Sequence, residues 1–178
     1  MVHRFLKNDP ATLLLDLGCG TGSLRTYLMQ NGYRGTYAGV DRVEASAHME
    51  HFIRADITDP DAPQVIMETL AKKPDVIVLL ALLEHLKDPE NILTPYTAIM
   101  KPNTIIIGTT PHPIGRSIHD LLAKIGICSR DAADEHESFL NHRKIEELAR
   151  NLNLELICYK RFLWGLNQFF VFKQSDNS

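Results

Sequence analysis

Residues 13–24 read Leu-Leu-Leu-Asp-Leu-Gly-Cys-Gly-Thr-Gly-Ser-Leu. An apolar run, Leu13–Leu17, ends at glycines on alternate positions, Gly18, Gly20 and Gly22, and then enters a helix-like segment, Ser23–Gln30. A buried strand that turns sharply on glycine into a helix brings bare backbone N–H groups close to a ligand. A Walker loop needs Gly-Lys-Ser/Thr, and no such triplet occurs. The dinucleotide fingerprint places Gly or Ala three positions after its second glycine, where this chain has Ser23.

Working outward, apolar runs too short for helices alternate with helix-length segments. Strands are expected at Thr12–Leu17, Thr36–Val40, His51–Arg54, Asp75–Leu80, Thr104–Gly108, Leu154–Tyr159 and Gln168–Lys173. Helices are expected at Arg25–Gln30, Ala62–Lys72, Asp88–Met100 (kinked at Pro95), Arg116–Gly126 and His142–Leu152, with a short helical piece at Val43–Met49. Strict alternation implies an α/β fold, a three-layer Rossmann-like sandwich with helices on both faces of a mostly parallel sheet. The last two strands are joined through Trp164-Gly165 with no helix between them. One antiparallel strand therefore sits inside a sheet of seven, and the last strand is that one.

The 178 residues suit one domain over 1–178, with 1–10 and 174–178 expected to be flexible and 110–141 forming the one large lid or acceptor loop. An apolar fraction of 44%, a charged fraction of 23% and a net charge of −3 are those of a soluble globular protein. There is no Lys/Arg-rich run to serve as a nucleic-acid footprint, and no apolar run reaches the ~18 residues of a membrane span. Cys19, Cys128 and Cys158 are odd in number and widely spaced, which reads as reduced thiols in a cytoplasmic protein.

In an open parallel sheet the ligand binds beyond the carboxyl ends of the strands. The second strand ends at Asp41, 23 positions after Gly18, the spacing of a carboxylate that accepts both ribose hydroxyls. Taken alone, that residue serves a nicotinamide dinucleotide as well as S-adenosylmethionine (AdoMet). The third strand runs into Asp56-Ile57, where the carboxylate accepts from an adenine amino group and Ile57 packs on the ring. The fourth runs into Leu80-Ala81-Leu82-Leu83-Glu84-His85-Leu86.

These four pieces, Asp-x-Gly-Cys-Gly-Thr-Gly, Gly-Val-Asp, Ala-Asp-Ile and Leu-Glu-His-Leu-x-Asp-Pro-Glu, resemble the class I AdoMet-dependent methyltransferases. The similarity is to the small-molecule O- and C-methyltransferases that include those of the quinone pathways. The resemblance implies AdoMet as cofactor and a small or medium-sized metabolite as acceptor, methylated at oxygen. It implies that Gly18, Gly20 and Gly22 lie against the methionine portion, with Asp16 orienting its amino group. Asp41 would take the ribose and Asp56 with Ile57 the adenine, while Leu80 or Ala81 would offer backbone groups beside the methionine portion.

Candidate bases are His112, after the fifth strand, and His136, in the Asp134-Glu135-His136 stretch; His85 reads as a cap or packing residue near the cofactor. No metal site is expected, because Leu140 occupies the second histidine position of a His-Glu-x-x-His motif. The absence of Asn/Asp-Pro-Pro-Tyr/Phe disfavours amino-group methylation of adenine or glutamine, and the absence of Pro-Cys disfavours cytosine C5 chemistry. The first motif begins about a dozen residues in, ahead of which relatives carry helices over the acceptor. An open acceptor site, a truncated chain or a homo-oligomer whose second subunit covers the site would each account for this. Two rivals stay open: a non-catalytic methyltransferase-like binding subunit, and an NAD-dependent oxidoreductase.

Overall fold

The computed structural model describes residues 1–43, 49–113 and 140–174. The expected helices at 43–49 and 116–126, the body of the 110–141 loop, His136 and the last four residues lie outside these. The strands are β1 (Leu13–Leu17), β2 (Thr36–Asp41), β3 (His51–Arg54), β4 (Val76–Leu80), β5 (Ile105–Pro111), β6 (Leu154–Phe162) and β7 (Asn167–Gln174). The helices are α1 (Ser23–Gln30), α2 (Ala62–Leu70), α3 (Pro89–Ala98) and α4 (His142–Asn151), with 3₁₀ turns at Val2–Arg4 and Leu83–His85. They build a seven-stranded sheet in the order β3-β2-β1-β4-β5-β7-β6. β7 is antiparallel to both of its neighbours and every other pairing is parallel. The expected architecture, including the reversed last strand, is the one observed.

The apolar runs of β1 and β4 are continuous because both faces of these strands are covered. Leu13, Leu15 and Leu17 face one apolar cluster with Ile66 of α2, Leu93 of α3 and Ile145 of α4. Leu14 faces the other, with Leu28 of α1, Tyr37, Val78, Ile107 and Phe169. Strand alternation puts Asp16 on this second face, beneath α1. Gly108 is required by packing: a Cβ there would lie 2.0 Å from Cζ of Phe170 on the antiparallel neighbour.

Boundaries differ from expectation where hydrogen bonding overrides local pattern. α2 stops at Leu70 because Ala71 turns left-handed, φ 51°, and donates to the Met67 carbonyl. α3 passes through Pro95 and ends at Ala98, where Ile99 and Met100 bond back three residues to Tyr96 and Thr97 and tighten the last turn. β5 continues three residues past Gly108 because Thr109, Thr110 and Pro111 stay in register with Phe169, Gln168 and Asn167. Fully buried Gln168 anchors this corner. Its Nε2 donates to the Pro111 and Leu140 carbonyls at 3.0 and 2.7 Å, and its Oε1 accepts from Tyr159 at 2.8 Å.

Candidate functional site

In the order β3-β2-β1-β4-β5, the chain leaves β1 toward one side of the sheet and reaches β4 on the other. At such a switch point the connecting loops diverge and leave a crevice. A cleft of about 270 Å³ opens there, floored by Gly18, Ala81 and Leu82 and walled by Asp41, Asp56, Ile57, His85 and Leu86, with Arg42, Ala55 and Thr58 at its margin.

The glycine loop enters the cleft differently from the sequence expectation. Its N–H groups are not bare. Gly18 and Cys19 both donate to the Val40 carbonyl at 2.8 and 3.1 Å, Gly20 donates to Oδ2 of Asp41 at 2.8 Å, and Gly22 donates to the Cys19 carbonyl at 3.0 Å. The loop is stitched to the end of β2 and offers the cleft a surface without side chains. Gly18 carries that role: its φ is +72°, and a Cβ there would come within 2.9 Å of Leu82 Cδ1.

Asp41 closes one side. Oδ2 holds Gly20 and Oδ1 accepts from the Val43 N–H at 3.0 Å. A carboxylate has about four acceptor positions, so lone pairs remain for a diol at the cleft edge. Asp56 stands opposite, its Oδ1 accepting from the N–H and hydroxyl of Thr58 at 2.9 and 2.8 Å. Those donors hold its pKa below the usual carboxylate value, with the guanidinium of Arg42, 3.9 Å from Oδ2, adding to the effect. Ile57 is buried beside it, and its carbonyl accepts from the hydroxyl of buried Tyr96 at 3.0 Å. This bond sets the Asp56-Ile57 loop on α3. Tyr96→Phe is therefore expected to lose about 1 kcal/mol in urea unfolding.

Asp16 lies behind the loop, 3% exposed, and accepts a hydrogen bond from the Tyr37 hydroxyl. Burial pushes its pKa up to about 7; the Tyr37 bond opposes that shift and the negative charge of Asp41 adds to it. Ala81 carries a left-handed φ of 51°, and its N–H is shared between the carbonyl and hydroxyl of Thr109, each at 3.1 Å. It is one of the residues that line the cleft. Leu80 turns away and packs in the Phe169 cluster, which leaves its side chain no part in the lining.

The structure thus brings Gly18, Asp41, Asp56, Ile57 and Ala81 together. Gly20 acts through Asp41, and Gly22, at φ 81°, caps α1. His112 is not in the lining. It follows β5, with its N–H on the Leu166 carbonyl and its Nδ1 3.4 Å from Nη2 of Arg161. Partial burial and the Arg161 charge both lower the pKa of this ring. Leu82, Leu86, Arg42 and the supporting tyrosines 37 and 96 were not singled out from sequence. The Leu-x-x-x-Leu spacing of 82 and 86 is a helical-turn signal, whereas the tyrosines have no local signature.

Residues 1–159 match a family model described as a methyltransferase domain. A ubiquinone biosynthesis O-methyltransferase of Pseudomonas entomophila is 30% identical over 103 residues, covering 54% of this chain and 43% of that protein. The chain thus spans less than half the length of that relative. A protein of the same name from Idiomarina loihiensis is 25% identical over 177 residues, covering 92% of this chain and 70% of its own length. Among solved structures, an Anabaena variabilis SAM-dependent methyltransferase aligns with TM-score 0.71 at 14% identity, covering 94% of this chain and 79% of that one. A magnesium protoporphyrin IX methyltransferase of Synechocystis with bound SAH aligns at 0.64 and 15% identity, covering 93% and 75%. With the family model spanning residues 1–159, this chain belongs to the class I AdoMet-dependent methyltransferases.

Proposed function

We propose that the chain transfers a methyl group from AdoMet to a hydroxyl oxygen of a small or medium-sized metabolite. The supporting observation is the switch-point cleft, which sets two carboxylates, Asp41 and Asp56, and the apolar Ile57 around the Cβ-free face of Gly18. These groups suit a nucleoside: Asp41 accepts from the ribose hydroxyls, Asp56 through Oδ2 from the adenine amino group, and Ile57 covers the ring. Asp16, reached past the loop, is the anion for the ammonium of the methionine portion. The bound cofactor supplies an electrophilic sulfonium methyl. The chain's contribution is to hold the partners in line, an effect that lowers a bimolecular barrier without dedicated acid–base groups. The O-methyltransferase names of the relatives favour oxygen as the acceptor atom.

Titration calorimetry on the full chain tests the cofactor half, and transfer of isotopically labelled methyl into a metabolite extract tests the reaction. Binding of AdoMet and S-adenosylhomocysteine near micromolar levels without binding of NADH is the expected result. Failure to bind either adenosyl compound would overturn the reading. Binding without any labelled product would leave a binding subunit as its replacement.

A further inference from the structure

The cleft is built across four neighbouring strands, and their order sets what each part of it can meet. Asp56 lies two residues past β3, Asp41 ends β2, Gly18 follows β1 and Ala81 follows β4. Adjacent strands lie about 4.8 Å apart, so roughly 14 Å of sheet edge separates the first of these residues from the last. An adenosyl compound with its base at Asp56 and its ribose at Asp41 therefore brings its amino-acid end to Gly18 and Ala81.

Ala81 is the irregular residue at that end. Of the five described residues other than glycine with a positive φ, it alone lines the cleft. Its φ of 51° lies in the left-handed region, which a residue with a Cβ enters at a cost. The chain on either side of it is fixed. Leu80 ends β4 in register with Thr109. Beyond the joint, Leu82 packs against Gly18, and its carbonyl accepts from the His85 N–H at 3.0 Å in the 3₁₀ turn. The course of one whole wall of the cleft, Ala81, Leu82, His85 and Leu86, thus depends on a single strained residue.

Thr109 holds that residue in place. The Ala81 N–H is shared between the Thr109 carbonyl and Oγ1, each at 3.1 Å. Thr109 is itself immobilised, because it is paired with Leu80 of β4 on one side and Phe169 of β7 on the other. Any residue at this position would supply the carbonyl. The hydroxyl is particular to Thr, or to Ser. We propose that Thr109 is a positioning residue for the cofactor, its hydroxyl holding Ala81 left-handed so that Ala81 and Leu82 stand against the methionine portion. The proposal rests on the reading that this cleft binds AdoMet. Thr109 is not in the lining, so it acts through Ala81.

Titration calorimetry on the full chain, with AdoMet and with adenosine, which lacks the methionine portion, tests this. Thr109→Val keeps the shape and the backbone bond and removes the hydroxyl. It should weaken AdoMet binding about fivefold, the effect of one lost hydrogen bond, and leave adenosine within about twofold. Thr109→Ser restores the hydroxyl and should recover AdoMet binding to within about twofold of the parent. Glycine takes the left-handed turn without help, so in an Ala81→Gly background the Thr109→Val change should cost AdoMet less than about twofold. Equal weakening of both ligands, no recovery in Thr109→Ser, or an undiminished loss in the Ala81→Gly background would each overturn the proposal. Asp41→Ala, measured alongside, separates it from the reading of the cleft. Loss there with none in Thr109→Val overturns the positioning role alone, whereas no loss in either variant overturns both.

Discussion

Asp16→Asn makes the chain more stable above neutral pH and removes most of its affinity for AdoMet. The carboxyl is buried on the inner face of β1, and burial raises its pKa from 3.8 to about 7. The folded chain therefore binds this proton more tightly than the unfolded chain. The group costs nothing below about pH 4; its cost grows as pH rises toward 7 and is fully present above that. A shift of this size is worth about 2 to 4 kcal/mol. Asn can still accept from the Tyr37 hydroxyl and carries no charge. In urea unfolding, the variant should match the parent near pH 4 or below, begin to exceed it by pH 5 and exceed it most at pH 8. Comparing the two chains cancels Asp56 and Asp75, whose lowered pKa values act in the opposite direction. An ammonium bound at Asp16 requires the ionised form, so parent affinity should fall as pH drops below about 7, approaching tenfold per unit. In the variant, the loss should be on the order of 100-fold. An Asn variant no more stable at pH 8 would remove the buried charge, and unchanged affinity would remove the ammonium assignment.

Asp41→Ala should also cost on the order of 100-fold in AdoMet affinity, by a different route. The change deletes the acceptor assigned to the ribose hydroxyls and frees the N–H groups of Gly20 and Val43. Stability should fall by only about 1 kcal/mol, because both freed groups lie at the exposed rim. Calorimetry with AdoMet and urea unfolding of the same sample separate the two effects. Affinity within threefold of the parent would remove the ribose assignment. Asp41→Asn, which keeps one acceptor oxygen for the loop, should recover stability but little of the affinity.

The strands themselves, the reversed β7 and the side of the sheet that holds the cleft were legible because their signals are local, whereas the order β3-β2-β1-β4-β5-β7-β6 came only with the structure. Leu13–Leu17 and Val76–Leu80 are continuous apolar runs, and strands covered on both faces need nothing more. Asp41 ends β2 and Asp56 lies two residues past β3, so their place at the carboxyl edge comes with the strand assignment. The chemistry of the loop was less legible. Alternate glycines indicate a sharp turn but not where the turn's donors go, and these are spent on Val40 and Asp41, some twenty residues away. His112 looked catalytic from its place after β5. Only the tertiary structure sets its ring beside Arg161, 49 positions on.

Sequence by itself determined an α/β chain with a glycine turn, two cleft carboxylates and the family to which these belong, since each is written in contiguous residues. The tertiary structure alone decided that Asp16 is buried against Tyr37, that Tyr96 sets Ile57, and that the Ala81 N–H falls on Thr109. Those outcomes depend on strand register and on which side chains meet across 21 or 39 positions of chain. Periodicity does not encode such meetings, because the free energy of a buried polar pair depends on its surroundings and not on its spacing.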